Sequence, residues 1–421
     1  MSLAARILVG LGLGFAAGVT LASLGVPKDH YLIATAGVIG GLWLDALRMT
    51  ILPLVFSLVV TGVSSTAGIA SAGKLTRLSL ALFLTFMLAA AALTAVVVPV
   101  LLSLWPTPAA SAEALRHALG SVQQAQAYPG IGLLLRGIIP TNVVGAAASG
   151  AMLPLVFFAL VFGFALAKVE VKSGFALTDF FVRIKDTMLV VVSWVLIIAP
   201  VGVFALALVV GARTGFSALG AFAHYIALVV AMCVVGIVGT YVIAVVLGRV
   251  SLIKFAHAAA PAQAVAISTQ SSLASLPVMI KGCETHLDIP SRITGVTLPL
   301  AVSLFRIAGP LATVTIAIYA AHVMNIPLGP AQLAAGAIIA VIMVVAAGGG
   351  IPSQVTFLAT MTPILASMGV PIEILGLLIA VETIPDIFRT TANVSMDMAA
   401  TTVVARFARE KEADATAKAR P

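Results

Sequence analysis

The sequence predicts an all-α polytopic membrane protein, and three observations carry that reading. Apolar residues make up 61% of the chain and charged residues 9%, against roughly 25% charged in a soluble domain, and the mean hydropathy is +1.17. Charge-free runs recur at 78–112, 137–167, 187–212 and 307–372, each longer than the ~20 residues that a helix needs to cross hydrocarbon. Alternating ten-residue segments of the kind that build membrane barrels are absent from the sequence. The third observation is one polar stripe inside an apolar stretch, residues 381–406, VETIPDIFRTTANVSMDMAATTVVAR. At 100° per residue, Glu382, Asp386, Arg389, Asn393 and Asp397 fall within roughly an 80° sector of one helix face, with Thr390 at its edge.

The first span occupies residues 7–24. Spans follow it at once and it lacks a small-residue cleavage site, so it reads as a helix rather than a signal peptide. In the second span Asp45 and Arg48 stand three apart and read as a structural pair, and Pro53 predicts a kink. The third span runs from about Leu75 to Leu104. Residues 105–128 carry Pro106, Pro108, Glu113 and Arg116 and read as an external loop or short surface helix. The fourth span is divided by Pro140 and Pro154 and is rich in small residues suited to close packing. The fifth reaches APVGVFALAL at 199–208 and the sixth covers 216–247, where His224 reads as a packing or interfacial residue.

The last third changes character. Between Lys254 and Lys281 a charge-free run is interrupted by a Ser/Thr/Gln cluster at 268–272. Two half-length helices returning to one basic side fit it better than a single span, so it reads as a re-entrant hairpin. Residues 309–372 repeat the pattern, with the interruption at 347–353 and no basic residues around it, so a second hairpin enters from the other side. Opposed hairpins mark an inverted repeat, whose exposed backbone dipoles meet ligand charges near the bilayer midplane.

The net charge of +8 is spread through short loops and does not indicate nucleic acid. Arg6, Lys74, Arg77, Lys168, Lys172, Arg249, Lys254, Lys281, Arg292 and residues 406–411 fall on one side of an alternating topology, which predicts that side, and both termini, to be cytoplasmic. Cys233 and Cys283 have neither metal nor disulfide spacing. An intramembrane hydrolase built on Ser271, Ser272 and His257 lacks any supporting motif. A channel would need a continuous polar path, whereas this stripe ends at the two hairpins.

The chain resembles the dicarboxylate/amino acid:cation symporter family, the glutamate transporter family. The residues that carry the likeness are ILPLVFSLVVTG, IIPTN with LPLVFFAL, APVGVFAL, QSSLASLP, TLPL at 297–300 and DIFRTTANVSMD, in order along nearly the whole chain. The resemblance implies eight transmembrane helices plus two hairpins in a homotrimer in a bacterial-type inner membrane. It implies an elevator mechanism, with scaffold segments 1–73 and 106–212, transport-domain segments 74–105 and 213–410, and a cytoplasmic tail at 411–421. It implies no enzymatic activity and no cofactor.

Carried over residue by residue, the resemblance makes Asp386 the acceptor of a substrate ammonium, which offers three donors. Arg389 becomes the bidentate grip on a substrate carboxylate. Thr390 and Asn393 are further substrate contacts, Ser271 and Ser272 surround the α-carboxylate, and Gly350 and Ile351, with Pro352, form the gating tip. The implied cargo is an acidic amino acid, aspartate or glutamate, with a C4-dicarboxylate or a neutral amino acid as alternatives.

The pattern breaks where the family carries sodium ligands. An Asn-Met-Asp-Gly-Thr motif is replaced by Phe305, Arg306, Ile307, Ala308 and Gly309, a Thr-Ser pair by Ala89 and Ala90, and a hairpin arginine by Gln270. Hard cations need several oxygen ligands, so two or more sodium sites are expected to be lost and no metal ligand set is assigned. Arg306 is expected to act as a tethered cation compensating Asp397, or to supply to Asp386 and its neighbours the charge that Gln270 lacks. Proton coupling, with Glu382 as first carrier and Asp386 or Asp397 as others, is the expected substitute.

Overall fold

The computed structural model describes residues 3–70, 73–119, 139–149, 151–173, 177–304, 306, 308–347 and 353–418. Every regular element among them is helical: α1 Leu3–Ser23, α2 Tyr31–Ala70, α3 Lys74–Leu104, α4 Ala109–Leu119, α5 Val143–Ala148, α6 Met152–Ser173, α7 Leu177–Ile197, α8 Ala199–Thr214 and α9 Ser217–Val246. The last third adds α10 Leu252–Thr269, α11 Ser272–His286, α12 Ser291–Leu304, α13 Gly309–Val323, α14 Pro330–Ala347, α15 Ser353–Ser367, a short 3-10 turn, α16 Leu375–Val381 and α17 Thr383–Lys418. Among the described residues four stretches are long and apolar enough to cross a bilayer singly, Ala5–Ser23, Lys74–Leu104, Leu219–Val246 and Pro330–Ala347. Large apolar side chains such as Leu13, Leu42, Trp194 and Val238 stand more than half exposed on the outer helices, as they do where the surrounding solvent is lipid.

Proline explains most of the breaks. The fifth span is two helices, α7 and α8, bent by 52° at Ile198, because Pro200 lies in the first turn of α8 and cannot donate back to the preceding turn. The fourth is interrupted between α5 and α6, just ahead of Pro154. Pro53, in contrast, stays inside an unbroken α2, and the Ser57 hydroxyl donates to its carbonyl at 2.7 Å. The side chain of Arg48 lies outside the described residues, so its expected pairing with Asp45 does too.

The helices pack in two sets. α1 lies along α8, and α2 contacts α6, α7 and α8. A Cβ on Gly10, Gly14 or Gly18 would come within 2.5, 2.2 or 2.2 Å of the backbone oxygens of Pro200, Phe204 and Leu208, so only glycine lets these two backbones approach so closely. Trp43 packs over Gly202 and its indole N–H donates to the Val195 carbonyl at 3.1 Å. In the second set, α17 is surrounded by α9, α10, α11, α12 and α3, and α13 packs on α3, α9 and α14.

Two helix pairs in this second set double back. α10 and α11 pack on each other through a turn whose pivot, Gln270, is left-handed at φ 52°. At the far end Lys254 Nζ and an Asp288 carboxylate oxygen are 4.0 Å apart, so both arms return to one end. α14 and α15 also pack together, and the Gln332 amide donates to the Met368 carbonyl at 3.5 Å across their open end. The open end of α10–α11 follows directly from the C-terminal end of α9. That of α14–α15 follows α13, whose Tyr319 hydroxyl donates to Ala221 near the N-terminal end of α9 at 2.5 Å. The two pairs therefore open at opposite ends of a helix that is about 45 Å long at 1.5 Å per residue.

Candidate functional site

The polar stripe begins at a break. Pro385 has no N–H to return to the Val381 carbonyl, so α16 stops at Val381 and α17 starts at Thr383, with Glu382 as the junction. One continuous helix through 381–406 was the sequence expectation, and the stripe instead crosses a helix restart. The faces still coincide, because the Asp386 N–H donates to the Glu382 carbonyl at 2.9 Å. All six stripe residues are buried, Glu382 at 2% exposure, Asp386 5%, Arg389 8%, Thr390 6%, Asn393 4% and Asp397 1%.

The first three form one charge cluster. Arg389 Nη2 donates to Asp386 Oδ1 at 2.6 Å, and Arg389 Nη1 donates to Glu382 Oε1. The other Glu382 oxygen accepts from the Tyr225 hydroxyl of α9 at 2.5 Å. A guanidinium suits this position because its planar fork serves two carboxylates at once and its charge persists in a dry site. Burying one such charge without partners costs several kcal/mol, so the cluster explains why an apolar bundle tolerates these groups.

One turn further on, the Asn393 side-chain oxygen accepts from the Ala308 N–H at 3.0 Å. The described α12 ends at Leu304 and α13 begins at Gly309, because Pro310 in the first turn of α13 blocks continuation through the carbonyl four residues before it, that of Arg306. The freed Arg306 carbonyl accepts from Gly309 at 2.6 Å. This interruption was not foreseen from the sequence, although Ala308, Gly309 and Pro310 were its signal. Phe305 and Ile307 lie outside the described residues.

Asp397 differs from the rest of the stripe. Both of its carboxylate oxygens are buried and have no hydrogen-bond partner among the described residues. Its expected compensation by Arg306 is therefore a correction. Arg306 is half-buried and interacts electrostatically with Asp386 and Arg389 instead, since the interrupted segment that carries it reaches α17 at Asn393, one turn short of Asp397.

The hairpin serines are partly spent locally. The Ser271 hydroxyl caps α11 by accepting from the Ala274 N–H at 3.2 Å, and Ser272 is the first residue of that helix. Both are half-buried at a helix N-terminus, where backbone donors and the helix dipole favour an anion, and no hydrogen bond joins either to the charge cluster among the described residues. Gln263 of α10 ties this hairpin to α17 by donating to Ser395 at 2.8 Å and to α9 by donating to Tyr241 at 3.2 Å. Gly350, Ile351 and Pro352 lie outside the described residues.

Tyr225 is the functional-site residue that sequence reasoning missed. Its signal was a tyrosine beside His224 in the predominantly apolar α9. His224 accepts the packing role read from sequence, against the Trp105 ring at 4.4 Å and hydrogen-bonded to the Trp105 carbonyl at 3.0 Å and Thr107 at 3.1 Å. Among the described residues no group of three His, Cys, Asp or Glu side chains is placed to hold a metal ion.

A buried carboxylate–guanidinium cluster at a helix restart, inside an apolar bundle that also holds interrupted helices and doubled-back helix pairs, has the elements of a secondary transporter. Comparison with known proteins gives the particular group. The profile of the sodium:dicarboxylate symporter family matches residues 3–407, and the chain belongs to that family. It is 29% identical over 423 aligned residues to the proton/glutamate-aspartate symporter of Escherichia coli, covering 96% of this chain and 93% of that protein. It is 27% identical to the proton/sodium-glutamate symport protein of Geobacillus stearothermophilus, covering 94% and 91%. The C4-dicarboxylate transport protein of Brucella anthropi is 27% identical, with 90% and 85% covered.

Proposed function

We propose that this protein is a cation-coupled secondary transporter of small acidic amino acids, aspartate or glutamate. The observation that carries the reading is the side-by-side placement of Asp386 and Arg389, buried, bonded to each other and three residues apart on one helix. An acidic amino acid presents an ammonium and a side-chain carboxylate, and separating this pair offers one partner to each. Counting Glu382, Asp386 and Asp397 against Arg306 and Arg389, the acids exceed the bases by one. A C4-dicarboxylate dianion would add to that excess and has no ammonium for Asp386, which ranks it second. Ser271 and Ser272, at the N-terminus of α11, take the α-carboxylate and Gly350 and Ile351 serve as the gate, while Thr390 and Asn393 line the same face as Asp386 and Arg389.

Transport is an elevator movement in a homotrimer of the inner membrane, with eight spans, two opposed re-entrant hairpins and both termini cytoplasmic. The division of packing supports it: α1, α2, α6, α7 and α8 hold one another, and α9, α10, α11, α12 and α3 gather around α17, with α13 packed on α3, α9 and α14. Coupling runs through Asp397 and Glu382. A carboxylate buried without a partner needs a proton or a cation, and among the described residues Asp397 has no hydrogen-bond partner. The side chains of Arg306, Ala308 and Gly309 supply no oxygen ligand, which favours protons over the full family complement of sodium ions.

The test is radiolabelled L-aspartate uptake by the full chain in proteoliposomes, with and without sodium and with and without an inward proton gradient. Uptake stimulated by the gradient in sodium-free buffer is expected. Strict sodium dependence would overturn the coupling assignment, and succinate uptake without aspartate uptake would overturn the substrate. Asp386→Asn should lower aspartate affinity by about 10-fold or more, since a charge-assisted bond contributes roughly 1.5–3 kcal/mol.

A further inference from the structure

Tyr225 lies fully buried on α9 and belongs to none of the segments that carry the family likeness. Its hydroxyl donates to Glu382 Oε2 at 2.5 Å, while Arg389 donates to Oε1. Glu382 is thus held from two directions, by a neutral donor on one helix and by the guanidinium on another. That guanidinium is also held by Asp386, so without substrate it is shared between two carboxylates of the chain itself.

A substrate carboxylate that takes the Nη1 or Nη2 donor now held by Glu382 or Asp386 displaces one of those two. Asp386 sits within the same turn-and-a-half of α17 and can stay on Arg389 or turn to an ammonium. Glu382 lies at the helix restart, with a second donor waiting in Tyr225. We propose that Tyr225 is a positioning residue that sets how strongly Glu382 competes with substrate for Arg389. By sharing the charge of Glu382, the Tyr225 hydroxyl weakens its hold on the guanidinium and keeps a partner for it when substrate takes Arg389. This rests on the reading of Arg389 as the substrate's carboxylate grip.

The groups facing Glu382 are few. α17 offers Arg389 and Asp386, and α9 offers Tyr225 and, two turns along, Cys233, which interacts electrostatically with all three charged residues. α13 brings Tyr319, whose ring is 5.3 Å from that of Tyr225 but whose hydroxyl is committed to the Ala221 carbonyl. Tyr225 is therefore the single neutral donor to Glu382 among the described residues. Without its hydroxyl, the freed Glu382 oxygen turns to Arg389 as the strongest donor within reach.

The experiment is L-aspartate binding to the full chain in lipid nanodiscs by isothermal titration, with uptake measured alongside. Tyr225→Phe keeps the ring and its packing and is expected to raise Kd by 5-fold or more. Glu382→Gln, a weaker competitor, is expected to lower Kd, and adding Y225F to E382Q is expected to change Kd by less than 2-fold. Tyr319→Phe removes the neighbouring hydroxyl and is expected to leave Kd within 2-fold of the parent. A Y225F protein with parental Kd, or a Y225F effect of equal size in the E382Q background, overturns the proposal; if Y225F does not fold, an E382Q Kd equal to or above the parent's does so by itself. Thermal unfolding of the parent, Y225F, E382Q and the double variant is read without ligand. Non-additive shifts between Y225F and E382Q, found with no binding of any acidic amino acid to the parent, would uphold the Tyr225–Glu382 contact while refuting the substrate assignment.

Discussion

The α1–α8 contact and the α9–α17 contact are both long helix pairings inside the same apolar bundle, and they are built on opposite principles. In α1–α8, glycines at every fourth position bring one backbone against the other, and Gly14 leaves no room for even a methyl group. In α9–α17, side chains fill the space, and at its heart Tyr225, Glu382, Arg389 and Asp386 exchange hydrogen bonds. A backbone contact has one geometry. A cluster of charges has several, because each carboxylate can trade its partner for another of comparable strength, including one on a ligand. The first pairing suits a fixed frame and the second a site that must bind and release.

Mutations at the two contacts sharpen this difference. The largest effect is expected from Arg389→Ala, which strips both Glu382 and Asp386 of their shared cation. Removing one partner of a buried ion pair costs on the order of 3–5 kcal/mol, and uptake of acidic amino acids should fall to background even in protein that still reaches the membrane, measured by proteoliposome transport and thermal unfolding. Gly14→Leu should follow, since its Cβ would stand 2.2 Å from the Phe204 oxygen. Overpacking of this kind costs roughly 1–3 kcal/mol, so its unfolding midpoint should drop by several degrees while the aspartate Kd of the folded fraction stays near parental. A large Kd change there would break the division between frame and site.

Asp397→Asn reverses the usual sign. The buried carboxylate has no hydrogen-bond partner among the described residues, so neutralising it should leave thermal stability equal to or above that of the parent by up to about 1–2 kcal/mol, while gradient-driven accumulation is lost. A clear fall in stability would mean that Asp397 is paired in the protein's resting state. The smallest effect belongs to Arg406→Ala. Its guanidinium donates to the Leu247 carbonyl at the end of α9 at 2.9 Å, in an exposed setting, and removing such a contact costs less than about 1 kcal/mol, within a degree or two of parental melting and without change in uptake.

The sequence by itself determined the solvent, the helical class and the face that carries the site. Those follow from counts and periods along one chain: hydrocarbon excludes unpaired backbone, so apolar runs of this length are helical, and helix geometry alone puts Glu382, Asp386, Arg389, Asn393 and Asp397 on one side. Tertiary structure decided the partners. Local spacing allows Glu382 or Asp386 to meet Arg389, but nothing near them in sequence announces Tyr225, 157 residues away, or the Ala308 N–H that Asn393 receives from 85 residues away. It also decided against the Arg306–Asp397 pair, which charge complementarity along the sequence favoured. Complementary charges attract wherever they stand, but a hydrogen bond needs contact, and the segment freed by Pro310 meets α17 one turn too early to deliver it.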